Sequence, residues 1–442
     1  MTRTAVALEL AVAVAAIAGA ACGEAGCGKK TTHRRVGDAA AVEVVTAPPA
    51  SPDGGTAGPS SDEIEPNDSD EVATVLAIGA TVHGRIDPDA DVDRYRIDVT
   101  VAGALSVVVE GHDGLDPVLE ISDASGTVIA RSDRQGARIR EGVPNLGVAP
   151  GRYIATVTAK KPPPPPVPKK RPAKRPPPEP AKPIGGPYEI TAALSTPPAG
   201  FEHEPDDDRG EANDLIAGDT GSGYIGWTGD ADVWKISVEA LSAKNALDIE
   251  LSAVEGVALS LEISDGIGQP ITTRKGPRGG PLVVRGFVPA VPQGAPPFYY
   301  LTVRADRSNP ETAYQIRAAA KLVAADAEVE PNDTPETATV VADRKSLHAQ
   351  WSTGDVDCFA IPPTDAPRTF DVSIDTPRDL DLAIDLLVDG KLIEKVDHPG
   401  KGAAEKAVLT VPPGAHAVIR VRGAEFAADG NYEIAIDEAA SP

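Results

Sequence analysis

The sequence predicts an all-β protein built from three tandem antiparallel β-sandwich domains that follow a disordered tether. Three observations predict this fold. A set of motifs occurs three times at nearly constant spacing, and each set is followed by short stretches of alternating apolar and polar residues. Only 4% of the residues are aromatic, whereas glycine (42) and proline (43) are plentiful. This combination favours many short strands and turns over large helices.

The N-terminus has the pattern of an export signal, which we place at residues 1–21. Arg3 precedes the apolar run Leu10–Ala21, which is too short to span a bilayer. Small residues end this run directly before Cys22, an order that resembles a bacterial lipobox, in which the cysteine becomes the lipidated first residue of the mature protein. The alternative is ordinary cleavage after Ala20. The prediction is an exported protein that a lipid on Cys22 holds at the cell envelope, in the outer membrane or periplasm or at the cell surface.

Residues 22–60 are rich in small residues and proline and lack periodicity, which predicts the tether. The formal net charge of the chain is −24, from 66 acidic and 42 basic residues. Such a charge speaks against nucleic acid as the main partner and suits divalent cations.

Each repeat opens with two glutamates, a proline and two further residues with oxygen-bearing side chains. The three openings are Glu63-Ile-Glu65-Pro66-Asn67-Asp68, Glu202-His-Glu204-Pro205-Asp206-Asp207 and Glu328-Val-Glu330-Pro331-Asn332-Asp333. Further along each repeat, two aspartates are followed by an aromatic residue. These motifs are Asp91-x-Asp93-x-Tyr95, Asp230-x-Asp232-x-Trp234 and Asp355-x-Asp357-x-Phe359. The repetition fixes the domain organisation.

Between these two motifs, an alanine and an aliphatic residue stand three positions apart in every repeat. The pairs are Ala73 and Leu76, Ala212 and Leu215, and Ala338 and Val341. This spacing predicts one short helical turn with its apolar face inward.

Alternating strands with Asp-Gly turns follow, such as Asp265-Gly266 and Asp389-Gly390. They predict seven or eight strands in each antiparallel sandwich. The predicted domains are residues 61–195, 200–321 and 326–438.

A proline- and lysine-rich stretch at residues 160–183 interrupts the first repeat. It lies between the strands that contain Val157 and Tyr188, where the other repeats have a short loop. We therefore interpret it as an insertion in a hairpin loop of the first domain. It is expected to project as a basic spur that contacts an anionic polymer or lipid; the alternative is a disordered insertion with no partner.

The repeated motifs, together with the closing Gly-x-Tyr-x-Ile strand at Gly186–Ile190 and Gly430–Ile434, resemble the bacterial pre-peptidase C-terminal (PPC) domain. That family includes the collagen-binding domains of clostridial collagenases. Three copies cover about residues 61–438, and the resemblance implies a jelly-roll-like β-sandwich for each. Domains of this family usually accompany a secreted protease, and no protease domain is evident beside the repeats.

The resemblance also implies calcium as a cofactor, because calcium-binding members take ligands from the acidic opening and from the Asp-x-Asp strand. Clustered carboxylate and amide oxygens are the hard ligands that calcium prefers. The candidate metal ligands are Glu63, Glu65, Asn67, Asp68, Asp91 and Asp93; Glu202, Glu204, Asp206, Asp207, Asp230 and Asp232; and Glu328, Glu330, Asn332, Asp333, Asp355 and Asp357. Asp206 replaces the asparagine of the other two openings, so the second site is either tightened or reduced to a plain acidic loop. The alternative for all three is a proline-fixed turn capped by acids.

No motif predicts catalysis. His-Glu-x-x-His and Gly-x-Ser-x-Gly are absent, and Cys358 is expected to be a buried free thiol. Gly221-x-Gly223-x-x-Gly226 matches a dinucleotide pattern, but no βαβ unit surrounds it. The predicted function is a non-catalytic, envelope-anchored binding or adhesion-type protein whose partner is an envelope or extracellular polymer or protein. The alternative is an accessory or chaperone-like module that serves a secreted protease encoded elsewhere.

Overall fold

The computed structural model describes residues 60–87, 91–112, 114–134, 140–160, 185–242, 244–290, 294–341, 345–352, 354–423 and 430–439. The predicted export signal and Cys22 lie outside these residues. So do the predicted tether and basic spur, apart from Ser60 and Lys160 at their ends. Within the described residues, no helix has the length and apolar character that crossing a membrane would require.

Every regular element in the described part of the chain is a β-strand. The first repeat contains β1 (Ser60–Asp62), β2 (Thr74–Val75), β3 (Thr81–Ile86), β4 (Asp93–Val99), β5 (Gly103–Gly111), β6 (Pro117–Ser122), β7 (Val128–Ser132), β8 (Glu141–Val148), β9 (Gly151–Ala159) and β10 (Gly186–Ser195). The second contains β11 (Asn213–Leu215), β12 (Thr220–Gly223), β13 (Asp232–Ser237), β14 (Asn245–Leu251), β15 (Leu259–Ser264), β16 (Pro270–Lys275), β17 (Leu282–Phe287), β18 (Phe298–Ala305) and β19 (Tyr314–Leu322). The third contains β20 (Thr339–Val340), β21 (Ser346–Trp351), β22 (Val356–Ile361), β23 (Arg368–Ile374), β24 (Leu382–Val388), β25 (Lys391–Val396), β26 (Glu405–Val411), β27 (Ala417–Gly423) and β28 (Gly430–Glu438).

Each repeat folds into two sheets with the same strand order, to which the first repeat adds the edge strand β1. In the first repeat the orders are β1-β3-β10-β5-β8 and β2-β4-β9-β6-β7. The second has β12-β19-β14-β17 and β11-β13-β18-β15-β16, and the third has β21-β28-β23-β26 and β20-β22-β27-β24-β25. The predicted all-β sandwich architecture is confirmed. Pairing is antiparallel apart from the short edge strands β1, β2, β11 and β20, which run parallel to their neighbours.

The two sheets of each repeat enclose a separate apolar core. Alternate residues of the strands point inward, as in β4, where buried and partly exposed positions alternate. The aromatic residues that follow the aspartate pairs, Tyr95, Trp234 and Phe359, are all buried in these cores. Burial of such large side chains supplies much of the free energy that holds the two sheets together.

The predicted helical turn is wrong. Thr74–Val75 forms the edge strand β2, which pairs in parallel with β4 at Tyr95 and Arg96. Leu76 is nevertheless fully buried, and its N–H donates to the Arg96 carbonyl at 2.9 Å. An inward aliphatic residue after a short strand produces the same three-residue spacing as a helical turn, so the spacing alone does not separate them.

The interpretation of residues 160–183 as a hairpin loop is also wrong. β9 and β10, which flank the segment, lie in opposite sheets and therefore do not form a hairpin. β10 pairs with β3 and β5, whereas β9 pairs with β4 and β6. Period-2 alternation shows which face of a strand is buried and leaves open which sheet the strand joins.

Consecutive sandwiches contact each other near the acidic motifs of the later one. At the first joint, between the first and second sandwiches, Trp227 packs against the core of the first sandwich, and the Thr228 N–H donates to the Arg131 carbonyl at 2.9 Å. At the second joint, the Glu330 N–H donates to the Gly286 carbonyl at 3.0 Å, and the Glu330 carbonyl accepts from Val288 at 2.8 Å. The acidic motifs of the second and third repeats therefore lie at the joints.

Candidate metal centres

Backbone hydrogen bonds hold each acidic opening against two strands of its own sandwich. In the first repeat, Glu63 N–H donates to the His83 carbonyl at 3.0 Å, and Arg94 N–H donates to the Asn67 carbonyl at 3.1 Å. The second and third repeats make the equivalent pairs: Glu202 with Ser222 and Val233 with Asp206, and Glu328 with His348 and Cys358 with Asn332. The glutamate-proline bond in each opening is cis. Side chains from two separate motifs thus converge on one point in every repeat.

The convergence places two glutamates and one aspartate with an oxygen of each within 4.8 Å of the others. The three groups are Glu63, Glu65 and Asp93; Glu202, Glu204 and Asp232; and Glu328, Glu330 and Asp357. We name the centres site 1, site 2 and site 3, and include in each the neighbouring pair Asn67 and Asp91, Asp206 and Asp230, or Asn332 and Asp355. The sequence predicted all of these residues as ligands, and the structure brings them together in three equivalent positions.

Site 1 is the most open of the three, because the side chain of Glu65 is exposed. Tyr95 donates its hydroxyl to Glu63 Oε2 at 2.7 Å, and Tyr188 donates to Asp93 Oδ2 at 2.5 Å. The second oxygen of Asp93 and the amide oxygen of Asn67 are buried and have no hydrogen-bond partner among the described residues. Burial raises the pKa of Asp93 to about 8, and the negative charge of Glu63 adds to this.

Site 2 buries five carboxylates together. Glu202, Glu204, Asp206, Asp230 and Asp232 are each at most 5% exposed. At least one oxygen of each of these side chains is buried without a hydrogen-bond partner among the described residues: Glu202 Oε2, Glu204 Oε1, Asp206 Oδ1, Asp230 Oδ1 and Asp232 Oδ1. In the described part of the chain, no lysine or arginine forms an ion pair with any of the five.

The crowding of negative charge at site 2 disfavours ionisation. Burial raises the pKa of Glu204 to about 11, and the charges of Asp230 and Asp206 raise it further. Burial likewise raises the pKa of Asp206 to about 7 and the pKa values of Glu202, Asp230 and Asp232 well above their usual range. Without a cation, burial and the neighbouring negative charges shift these side chains towards their neutral form, which is the opposite of what a solvated acidic loop shows.

The first sandwich closes site 2 from the side. Asn145, on β8, donates its amide to Glu202 Oε1 at 2.5 Å, and the Tyr224 N–H donates to the same oxygen at 2.7 Å. Gly226 N–H donates to Asp230 Oδ2 at 2.5 Å. Neutral donors therefore hold one oxygen of each of these carboxylates, and the other oxygen stays available to a ligand.

Site 3 differs because a guanidinium lies among its carboxylates. Arg274, on β16 of the second sandwich, is 4% exposed. Its Nη2 lies 2.7 Å from Asp355 Oδ1 and 3.3 Å from Glu330 Oε2, and its Nη1 lies 3.1 Å from Asp333 Oδ1. Burial raises the pKa of Glu330, and the charge of Arg274 counteracts that rise. The pKa of Asp355 still rises to about 8 through burial.

The centres differ from the sequence prediction in two ways: they include side chains that were not predicted, and some predicted ligands lie outside the three-oxygen groups. Asn145 and Arg274 belong to the preceding sandwich, and no motif marks them. Among the predicted ligands, the aspartates that end the openings are not members of the three-oxygen groups. Asp68 is exposed, Asp207 accepts the Ala231 N–H at 3.1 Å, and Asp333 is paired with Arg274.

The donor set fits a hard divalent cation. All the available atoms are carboxylate or amide oxygens, and calcium takes six to eight oxygens in a flexible arrangement. Site 2 fits best, because it presents the most buried oxygens without partners. Site 1 presents Asn67 Oδ1 and Asp93 Oδ1, and site 3 presents Asn332 Oδ1 and Asp357 Oδ1.

A scan against protein-family models finds no match, and no curated protein matches the sequence. Solved structures do show likenesses. One is the pre-peptidase C-terminal domain of collagenase from Bacillus anthracis, at 17% identity and a TM-score of 0.20, covering 27% of this chain and 93% of that one.

Two other solved structures match over longer stretches. A protein from Eubacterium rectale, inferred to be secreted, is 13% identical with a TM-score of 0.20, covering 58% of this chain and 80% of its own. The N-terminal CBM22-1-CBM22-2 tandem domain of Xyn10C from Paenibacillus barcinonensis is 10% identical with a TM-score of 0.16, covering 47% and 82%. At these scores, none of the three assigns a family or a function to this chain.

Proposed function

We propose that this chain is a calcium-stabilised, non-catalytic binding protein of the cell envelope. The observation that carries the proposal is site 2, where five buried carboxylates are crowded together with no cationic side chain paired to them in the described part of the chain. Burying one unpaired charge costs several kcal/mol, so the folded state must take up either protons or a cation. At neutral pH a calcium ion, which prefers oxygen ligands, meets this requirement best.

The ligands at site 2 are Glu202, Glu204, Asp206, Asp230 and Asp232. Glu202 and Glu204 come from the opening that enters the second sandwich, Asp232 is the first residue of β13, and Asp230 lies just before that strand. A bound cation would therefore fasten the opening to the sheet. Because Asn145 of the first sandwich contacts Glu202, the cation would also stabilise the joint between the two sandwiches.

The described residues support a binding role over a catalytic one. Cys358 is fully buried, and burial raises the pKa of its thiol to about 11, so the thiolate that a nucleophile requires is disfavoured. The acids of the three sites accept hydrogen bonds from backbone N–H groups and tyrosine hydroxyls, and none of the three groups contains a histidine. Repeated β-sandwiches without a catalytic arrangement of side chains are typical of modules that present a surface to a partner.

We further propose that the partner is an envelope or extracellular polymer or protein and that the protein is exported and lipid-anchored at Cys22. The sequence pattern before Cys22 supports the anchor, and the basic composition of residues 160–183 supports an anionic partner.

Fractionation of cells that express the full-length protein tests this function. We expect the wild-type protein to sediment with membranes and to be released by detergent. The Cys22→Ser variant should lack the lipid and remain soluble after export. The soluble variant should then co-sediment with isolated envelopes in calcium and less in chelator. If the Cys22→Ser protein does not co-sediment with envelopes in either calcium or chelator, the binding role is contradicted. If it remains in the membrane fraction, the lipid anchor is contradicted.

A further inference from the structure

The second and third sites have nearly the same acidic residues, yet their charge balance differs. Site 3 has Asn332 where site 2 has Asp206, and it has Arg274 within 2.7–3.3 Å of Asp355, Glu330 and Asp333. The arginine is donated by the preceding sandwich, across the second joint. Thr272 of the same strand helps to position the guanidinium, because its hydroxyl oxygen accepts a hydrogen bond from Arg274 Nη1 at 2.5 Å.

The equivalent position in the first sandwich has no charge. Arg274 pairs with Leu261 across the β15–β16 ladder, and Ser132 pairs with Leu119 at the same place of the β6–β7 ladder. Ser132 is buried and donates its hydroxyl to Glu141 Oε2 at 2.6 Å, within its own sandwich. Among the described residues of the first sandwich, the side chain that donates to a site 2 carboxylate is the neutral amide of Asn145.

We propose that Arg274 is a built-in cation, so that site 3 takes no calcium and the second joint is independent of metal, whereas the first joint requires it. The guanidinium neutralises part of the buried charge and forms hydrogen bonds with the oxygens that a metal would need. Oxygens of Asn332 and Asp357 remain without partners, so the site retains ligands for a metal once the arginine is removed. Calcium binding at site 2 rests on the proposed function, whereas the role of Arg274 does not.

The number of calcium ions bound per full-length chain tests the inference, measured by calorimetric titration of calcium-depleted protein. We expect Asp357→Asn, in site 3, to leave the number unchanged from wild type. Arg274→Met, which keeps the length of the side chain and removes its charge, should raise the number by one. Adding Asp357→Asn to that variant should abolish the extra ion. Arg278→Met is the matched control, since Arg278 is half-exposed and pairs with Asp306 away from the site.

A loss of one ion on Asp357→Asn in the wild-type background would overturn the inference, and so would an unchanged number in a folded Arg274→Met variant. Circular dichroism in calcium checks that the variant is folded. Arg274→Lys, which keeps the charge, gives a second test that does not depend on Arg274→Met folding, because it should bind the wild-type number. If the wild-type protein binds no ion while Arg274→Met binds one, calcium binding at site 2 fails but the role of Arg274 stands.

Limited proteolysis by elastase measures the calcium dependence of the two joints separately. Residues 196–201 link the first pair of sandwiches and residues 323–327 the second, and both contain alanine. In the wild-type protein, we expect calcium removal to increase the rate of cleavage at residues 196–201. The rate of cleavage at residues 323–327 should be the same with and without calcium. Arg274→Met should make both cleavages calcium-sensitive. Equal sensitivity of both joints in the wild-type protein would contradict the inference.

Discussion

The carboxyl group of Asp93 is buried against the hydroxyl of Tyr188, and this single contact shows how the acids of the three sites affect stability. Burial raises the pKa of Asp93 to about 8, above the ordinary value of 3.8, so the folded state holds the proton more tightly than the unfolded state. The stabilisation is fully present below pH 3.8 and is lost as the pH rises towards 8. This is the reverse of the usual behaviour of a salt-bridged aspartate.

We therefore predict that, in chelator, the free energy of unfolding falls as the pH rises from 4 to 8. One such proton contributes a slope of at most about 1.4 kcal/mol per pH unit. Asp93→Asn should make the slope shallower, because the amide does not titrate. Denaturant unfolding at several pH values measures it. As a control, Asp98→Asn changes an exposed aspartate of the same strand and should leave the slope as in wild type. A slope that Asp93→Asn leaves unchanged would contradict the assignment.

At the same scale, the sequence predicted which acids lie close together, but it did not predict the arginine that lies among them at site 3. Glu202, Asp206 and Asp232 were identifiable because two motifs recur together and each supplies oxygen-bearing side chains. Arg274 was not, because its role arises from a neighbouring sandwich and the equivalent residue of the first repeat is Ser132. Contacts between repeats depend on the angle between them, which no motif within one repeat encodes.

Among the elements, β12 and the loop after it show how packing accounts for the glycine pattern Gly221-x-Gly223-x-x-Gly226. A Cβ on Gly221 would lie 2.7 Å from the Trp234 ring, and one on Gly223 would lie 1.7 Å from Glu202 Oε2. A Cβ on Gly226 would lie 2.7 Å from Pro144 of the first sandwich. The three glycines therefore give room to a core ring, to a site 2 ligand and to the first joint.

Gly223→Ala should accordingly act on the site as well as on the fold. The added methyl group would displace Glu202, so we expect weaker calcium binding and a loss of stability of about 1–3 kcal/mol, as for overpacked cores. Calcium titration and denaturant unfolding measure the two effects. Thr220→Ala, at an exposed position of the same strand, is the matched control and should change neither. An unchanged calcium affinity in Gly223→Ala would show that Glu202 is not a ligand.

The element errors share one physical origin. The spacing of Ala73 and Leu76 predicted a helical turn, and the segment between Val157 and Tyr188 was interpreted as a hairpin loop. Both predictions are wrong because a pattern of apolar and polar residues indicates which face of a segment is buried, but not which strand the segment pairs with. Strand partners are decided by contacts between distant residues, such as the pairing of Tyr188 with Gly111 in β5.

On the scale of the whole molecule, three sandwiches of one design are joined in two different ways. The first joint contains site 2, whose buried carboxylates have no paired cationic side chain in the described residues, and the second joint contains site 3 with Arg274. The repeat pattern predicted the sandwich fold in all three copies. It did not predict that the joints differ, because the copies look most alike in the motifs that form the sites.

Thermal unfolding of the full-length protein in calcium and in chelator tests the central claim most directly. A ligand at 100 times its dissociation constant adds about 2.7 kcal/mol per site, which is a rise of several degrees. We predict such a rise for the wild-type protein. In Asp232→Asn the rise should shrink, and unfolding in chelator should occur at a higher temperature than in wild type, because folding no longer has to protonate that buried acid. Asp214→Asn, an exposed change, should behave as wild type. Identical unfolding of the wild-type protein in calcium and chelator would contradict the account.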